Sequence, residues 1–149
     1  MSQLSDIVYD RPFAQVAENE TVAAVARRMA DLHCGAILVL DGGKLRGVFS
    51  ERDIMHRVVL ERRDPETTPV KSVMSTQIAT IEESATLEDA MAEMHAHNCR
   101  HLPVMKEGHV VAFLSMRDLM KHELTTKTEE LNHMHNYVQI GRASCRERV

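Results

Sequence analysis

The sequence predicts an α+β fold in which one β-α-β-β-α unit occurs twice. Three observations lead there. A shift of 65 positions lays residues 21–55 over residues 86–120 without a gap. Each copy opens with an amphipathic helical stripe. Two short apolar runs joined by a glycine-bearing turn then follow it.

The copies coincide at Thr21/Thr86, Met29/Met94, Cys34/Cys99, Val39/Val104, Gly43/Gly108, Ser50/Ser115, Arg52/Arg117, Asp53/Asp118 and Met55/Met120, and elsewhere share their apolar pattern. Ahead of each copy a short strand fits residues 13–16 and 78–81. Val22, Val25, Ala26 and Met29 recur at the spacing of one helix face, and Leu87, Ala90, Met91 and Met94 repeat that stripe. Thr21 and Thr86 stand at the N-cap positions, and Glu88 and Asp89 put negative charge in the second helix's first turn. Strands are predicted over 36–40 and 101–105, with return strands over 44–49 and 109–114. Asp41-Gly42-Gly43 and Lys106-Glu107-Gly108 supply the turns between them. A second helix follows in each copy, with Ile54, Met55, Val58 and Val59 as its apolar residues in the first.

The first copy therefore covers residues 4–63, a polar linker with two prolines covers 64–69, and the second copy with its helix covers 70–137. That last helix runs past the repeat. Leu124, Leu131 and Val138 are seven apart, and Met120, Met134 and Tyr137 add apolar bulk. The amphipathic rule lays such a face on the module's own core; the heptad spacing also suits a partner helix. Residues 141–149 break from the pattern, are similar to an in-frame translation of a sequencing adapter, and are set aside as a non-native tail.

Bulk properties narrow the function. Units of about 60 residues bury too little surface to stand comfortably alone, so the two halves are expected to share a core. The 44% hydrophobic and 27% charged fractions are those of an ordinary globular protein. No apolar run nears the roughly 20 residues that span a bilayer, and residues 1–6 lack the basic and apolar parts of a secretory leader. Three widely spread cysteines make no disulfide framework, so a reducing cytoplasm is expected, with no membrane partner. A net charge of −4, or −6 once the tail is set aside, and 3% aromatics argue against nucleic acid. His95/His97 and His133/His135 are two apart, which turns them about 200° from each other on a helix and unsuits them as metal pairs. Cys34 and Cys99 are a candidate redox pair, although buried free thiols are commoner. No nucleophile triad, phosphate loop or carboxylate pair stands out, so no enzyme is expected.

The informative string is residues 47–54, Gly47-Val48-Phe49-Ser50-Glu51-Arg52-Asp53-Ile54, matched by Ala112-Phe113-Leu114-Ser115-Met116-Arg117-Asp118-Leu119. Each lies where a strand hands over to a helix. Ser-x-x-Asp there resembles a capping box. The same geometry suits a ligand: free amides and a positive dipole end for phosphate, a hydroxyl beside them, and a carboxylate for a ribose diol. Glycine at position 47 leaves room for close approach to the backbone.

On those residues the two copies resemble CBS motifs, and the pair resembles a Bateman module over residues 4–137. The resemblance implies two motifs packed about a pseudo-two-fold axis. It also implies a regulatory ligand of the adenine nucleotide class (AMP, ADP, ATP, NADH or S-adenosylmethionine) held between them, no catalytic cofactor, and a homodimer. By that resemblance Asp53 and Asp118 receive the ribose, while Ser50 and Ser115 lie at phosphate, the former beside Gly47. Ala36 and Ile37 line one base pocket, and His101, Leu102 and Pro103 the other, with Ile78, Ala79 and Thr80 closing a side. Arg100 and His101 are candidate phosphate or base contacts, and Arg52 and Arg117 suit either phosphate or solvent. No output domain is expected beside the motifs, so the output is expected to be a separate protein target, a change of assembly or nucleotide buffering. A structural module with decayed sites is the alternative, to which Ala112 in place of glycine lends support.

Overall fold

The computed structural model describes residues 3–7 and 12–147, with side chains described through residue 136. After a short α1 (Leu4–Ile7) come β1 (Gln15–Ala17), α2 (Val22–Leu32), β2 (Ala36–Asp41) and β3 (Lys44–Ser50). The chain then enters α3 (Glu51–Asp53), which widens into a π-helical stretch over Ile54–Val59. The second copy repeats the order with β4 (Ile81–Glu82), α4 (Leu87–Ala96), β5 (His101–Lys106), β6 (His109–Ser115) and α5 (Met116–Glu147). The two sheets have the orders β1-β2-β3 and β4-β5-β6, each with a parallel pair followed by an antiparallel hairpin. Both hairpins shift register at repeat-equivalent steps, Val39/Leu40 and Val104/Met105. The duplication therefore extends to the bulges. The expected α+β pair of repeats is the observed architecture.

Local chemistry accounts for the elements. Thr21 accepts from the Ala24 amide, and Thr86 forms a full capping box with Asp89. At the hairpin tips Gly42 and Gly43, and Glu107 and Gly108, all hold positive φ, the conformation that a two-residue type I′ turn demands. Gly42 and Gly43 adopt it without a Cβ penalty; Glu107 adopts it with one.

Two strand assignments move. The first strand lies over residues 15–17 rather than 13–16, and its counterpart over residues 81–82 rather than 78–81. Pro103 explains the shorter second strand. In the first copy the Leu38 amide donates to Ala14 at 3.3 Å and Gln15 pairs with Leu38. Pro103 is the repeat equivalent of Leu38 and has no amide hydrogen, so pairing starts one residue later, at Ile81 with Val104. The second helix of the first copy also departs from expectation. Val58 is buried, but Met55 and Val59 are 51% and 64% exposed. A π-helix turns more residues per turn than an α-helix, which takes them off the buried face.

The core of the first copy gathers Val16, Val22, Val25, Met29, Ile37, Val39, Phe49 and Val58, joined by Val70 and Val73 from beyond the linker. The linker is tied to that motif. Val22 donates to Thr68, Ala23 to Pro65, and Val70 to Glu20 at 2.8 Å. The N-terminal segment does the reverse: Leu4 is fully buried, its amide donates to Ala85, and Ser5 donates to Glu83. Each motif thus lends its leading segment to the other. Strands β3 and β6 meet within this unit of residues 3–115.

The helix α5 forms a second unit. Leu119 is buried, but Met120, Leu124, Leu131 and Met134 are 62%, 67%, 66% and 65% exposed. Tyr137 and Val138 lie outside the residues with described side chains. Among the described residues no helix is long and apolar enough to cross a membrane.

Candidate functional site

The first strand-to-helix corner is built by β3, which ends on Ser50, and by α3, which starts beneath it. Ser50 is extended and N-caps the helix. Its hydroxyl accepts from the Asp53 amide at 3.3 Å while Asp53 Oδ2 accepts from the Ser50 amide at 3.0 Å, which closes the capping box. The Ser50 hydroxyl also lies 3.1 Å from Asp53 Oδ2. The other carboxylate oxygen, Oδ1, accepts from the Ser75 hydroxyl at 3.2 Å, and Arg57 Nε stands 3.8 Å from it. Asp53 is 7% exposed and is the one buried charged residue among those described. A carboxylate withdrawn from water needs such partners, and here each oxygen has a hydroxyl.

Ser75 comes from the segment that leads into the second motif. It pairs with Val48 through both backbone groups, at 2.9 and 3.0 Å. Gly47 makes this approach possible. A Cβ there would meet Met74 Sδ at 2.5 Å and the Ser75 carbonyl at 2.9 Å. The room at Gly47 is thus filled by the chain's own Met74 and Ser75. Arg57 is held in place by donating to the carbonyls of Val73 and Met74, at 3.2 and 2.7 Å.

Other expected residues fall around this corner. Ala36 pairs with Ser50 across the sheet, and Ile37 beside it is fully buried. Arg52 is exposed on α3. Ile78 is half-buried and Thr80 exposed, both ahead of β4. In the second copy His101 pairs with Ser115, and its ring lies 5.3 Å from that of Phe113 at 32°. Leu102 and Pro103 are buried and Arg100 is exposed just before β5. Asp118 is half-buried and Arg117 exposed on α5. Ala112, at the place of Gly47, is buried.

The sequence reading missed Ser75, Met74 and Arg57. Arg57 had a signal, because it stands four residues after Asp53 on one helix. Ser75 had none: its approach depends on the linker folding back. Cys34 and Cys99 each follow a helix end, and burial raises both thiols above their usual value, with the backbone amides partly opposing. Among the described residues no cluster of His, Cys, Asp and Glu suited to a metal is found.

Comparison with known proteins finds the same two repeats. The CBS domain family model matches residues 4–60 and 70–124. The CBS domain-containing protein YhcV of Bacillus subtilis is 32% identical over 128 residues, covering 86% of this chain and 90% of that one. A solved protein with CBS domains from Burkholderia ambifaria superimposes with a TM-score of 0.78 at 31% identity, over 83% of this chain and 95% of that one. A CBS domain protein from Pyrobaculum aerophilum, solved in complex with AMP, has a TM-score of 0.71 at 29% identity, over 78% and 89%. With two matched domains in one chain and the same paired fold in its relatives, the protein belongs to the CBS domain family and is a tandem CBS pair.

Proposed function

We propose that this CBS pair is a regulatory module that binds an adenine nucleotide at its strand-to-helix corners and passes the signal on through a partner or a change of assembly. One observation carries the reading: the buried Asp53 accepts one hydroxyl on each carboxylate oxygen, from Ser50 and from Ser75. Two hydroxyls on one carboxylate is the pattern that a ribose diol presents. A nucleotide entering this corner takes over those places, with its phosphate toward Ser50 and Arg52 and its base against Ala36 and Ile37. In the second motif Ser115, Arg117 and Asp118 hold the equivalent places by the repeat, with Arg100, His101, Leu102 and Pro103 toward the ligand and Ile78 and Thr80 at its side. The AMP complex of the Pyrobaculum aerophilum relative supports the ligand class. A cytoplasmic homodimer belongs to the same proposal, as does the absence of catalysis.

Because Ser75 ties this corner to the lead-in of the second motif, ligand that displaces it loosens that tie. A ligand shifts an arrangement only by its preference for one form over another, and a tenfold preference supplies about 1.4 kcal/mol.

Two-site calorimetry with AMP, ATP, NADH and S-adenosylmethionine tests the reading. Asp53→Ala and Asp118→Ala are each expected to abolish one site, and wild-type binding in both variants refutes it. Ser75→Ala removes one competing hydroxyl and spares the capping box. One hydrogen bond is worth about 1 kcal/mol net, so binding at the first corner is expected to tighten about fivefold. The alternative, a purely structural module, is favoured by the completed Ser50–Asp53 box. A flat thermal-shift response across the nucleotide panel would establish it, since a ligand of the folded state raises the midpoint.

A further inference from the structure

On the adenine-nucleotide reading, on which this rests, we infer that Glu51 makes the first corner select against a 5′-phosphate. That corner then prefers an adenosine ligand whose 5′ end is neutral or cationic. The helix start and the loop that precedes β2 meet here. The Glu51 amide donates to the Gly35 carbonyl at 3.0 Å. Its side chain lies against the same residue: a Cβ on Gly35 would stand 3.6 Å from Glu51 Oε2 and 4.0 Å from Oε1. Ser50 precedes Glu51 in the chain, and Ala36, which follows Gly35, pairs with Ser50 across the sheet. The carboxylate is therefore beside the place given to the phosphate.

Charge and hydrogen bonding act in the same direction there. A phosphate monoester carries about −1.5 to −2 at neutral pH, which a carboxylate repels. At a spacing on the order of 6 Å in water-like surroundings, that repulsion amounts to about a tenfold loss of affinity. The Glu51 amide is engaged by Gly35, and the Asp53 amide by the Ser50 hydroxyl at 3.3 Å. Two first-turn donors that would otherwise hold a phosphate are thus already committed. A neighbour registers the same carboxylate: burial raises the Cys34 thiol above its usual value, and the charge of Glu51 adds to the rise.

The repeat supplies the contrast. Met116 stands in the sequence at the place of Glu51, and Arg100 at the place of Gly35. Glu51 and Arg52 cancel in the first copy, whereas Arg100 and Arg117 give the second copy a charge of +2 at the same positions. Arg52 and Arg117 are repeat equivalents, so they do not make the difference. Arg57 is engaged by the carbonyls of Val73 and Met74, and Arg46 pairs with Asp41 at 3.4 Å. What sets the first corner apart is an acid at position 51 with no basic residue at position 35.

Calorimetry on the full chain carrying Asp118→Ala, which removes the second corner on the reading above, tests this. The probes differ only at the 5′ position: adenosine, AMP and 5′-amino-5′-deoxyadenosine. The expected order of affinity is the amine, then adenosine, then AMP. Glu51→Gln is expected to move the ratio of AMP to adenosine affinity about tenfold towards AMP, while adenosine itself stays within about twofold. With Glu51 present, raising the salt from about 0.01 M to 1 M is expected to narrow the gap, as the screening length falls from about 30 Å to 3 Å. AMP bound more tightly than adenosine in the presence of Glu51, or a ratio that Glu51→Gln leaves unmoved, overturns the inference and leaves the nucleotide reading standing. So does a Glu51→Gln variant that weakens all of the probes alike, because the side chain then acts on structure. Binding of none of the probes overturns both the inference and the nucleotide reading at this corner.

Discussion

Replacing Gly47 with alanine places one methyl group against the lead-in to the second motif. Gly47 does not hold a positive φ, so the cost is steric alone. The new Cβ meets Met74 Sδ at 2.5 Å, Met74 Cγ at 2.8 Å and the Ser75 carbonyl at 2.9 Å. The methionine end can swing away. The carbonyl cannot, because it accepts from Val48 at 3.0 Å in a two-bond bridge. Overpacking a fitted site costs about 1–3 kcal/mol, and the backbone contact puts this case at about 2–3. Reduced freedom of the unfolded chain returns about 0.4–1 kcal/mol. The net of about 1–2.5 kcal/mol corresponds to a fall of about 3–10 °C in the thermal midpoint for a chain of this size. Thermal denaturation followed by circular dichroism reads it directly. Met74→Ala combined with Gly47→Ala is expected to cost less than the two single changes added together, since they share one contact. An unchanged midpoint for Gly47→Ala, or strict additivity in the double variant, refutes the account of this corner.

Further outcomes follow from other sites. The Thr86 amide, and then its hydroxyl, hold the Asp89 carboxyl below its usual value. The stability it lends is therefore present above about pH 3.9 and lost as pH falls through the lowered value. The gap between the wild type and Asp89→Asn in urea melts should hold steady down to about pH 4 and then narrow as pH falls further, and a gap that stays constant in acid contradicts this. Thr86→Ala is expected to cost about 1 kcal/mol at pH 7. Pro103→Val restores an amide where Leu38 has one; hydrogen exchange should show it protected and pairing extended to Thr80, and a freely exchanging amide there would count against the explanation of the short β4. Burial raises the Cys34 and Cys99 thiols, so iodoacetamide should modify both more slowly than free cysteine at pH 8, in a Cys145→Ala background. Modification at the free-thiol rate would contradict it.

Periodicity made the repeat legible because both copies bury the same face of α2 and α4, and such faces are written at fixed spacing. The turns were legible because positive φ restricts the residue types at Gly42, Gly43 and Gly108. The helix ends at Thr21 and Thr86 were legible because caps act over three residues. Strand ends were not, since a strand stops where its neighbour stops, and the limit on β4 is set by Pro103 more than twenty residues away. At the site, Ser50 and Asp53 could be read from their spacing. The choice between a capping box and a ligand contact could not, because the same atoms serve both. Ser75 stayed hidden because its distance from Asp53 in sequence, 22 residues, follows no local rule.

The crossed anchoring of Leu4 beside Ala85 and of Val70 beside Glu20 has a consequence for how the protein is inherited as a unit. A gene for half of this chain would encode a motif whose own opening residues complete the other half. An ancestral single copy would therefore have closed its fold only by trading arms with a twin. Fusion of two such copies converts that trade from an encounter between molecules into an internal one, which no longer depends on concentration.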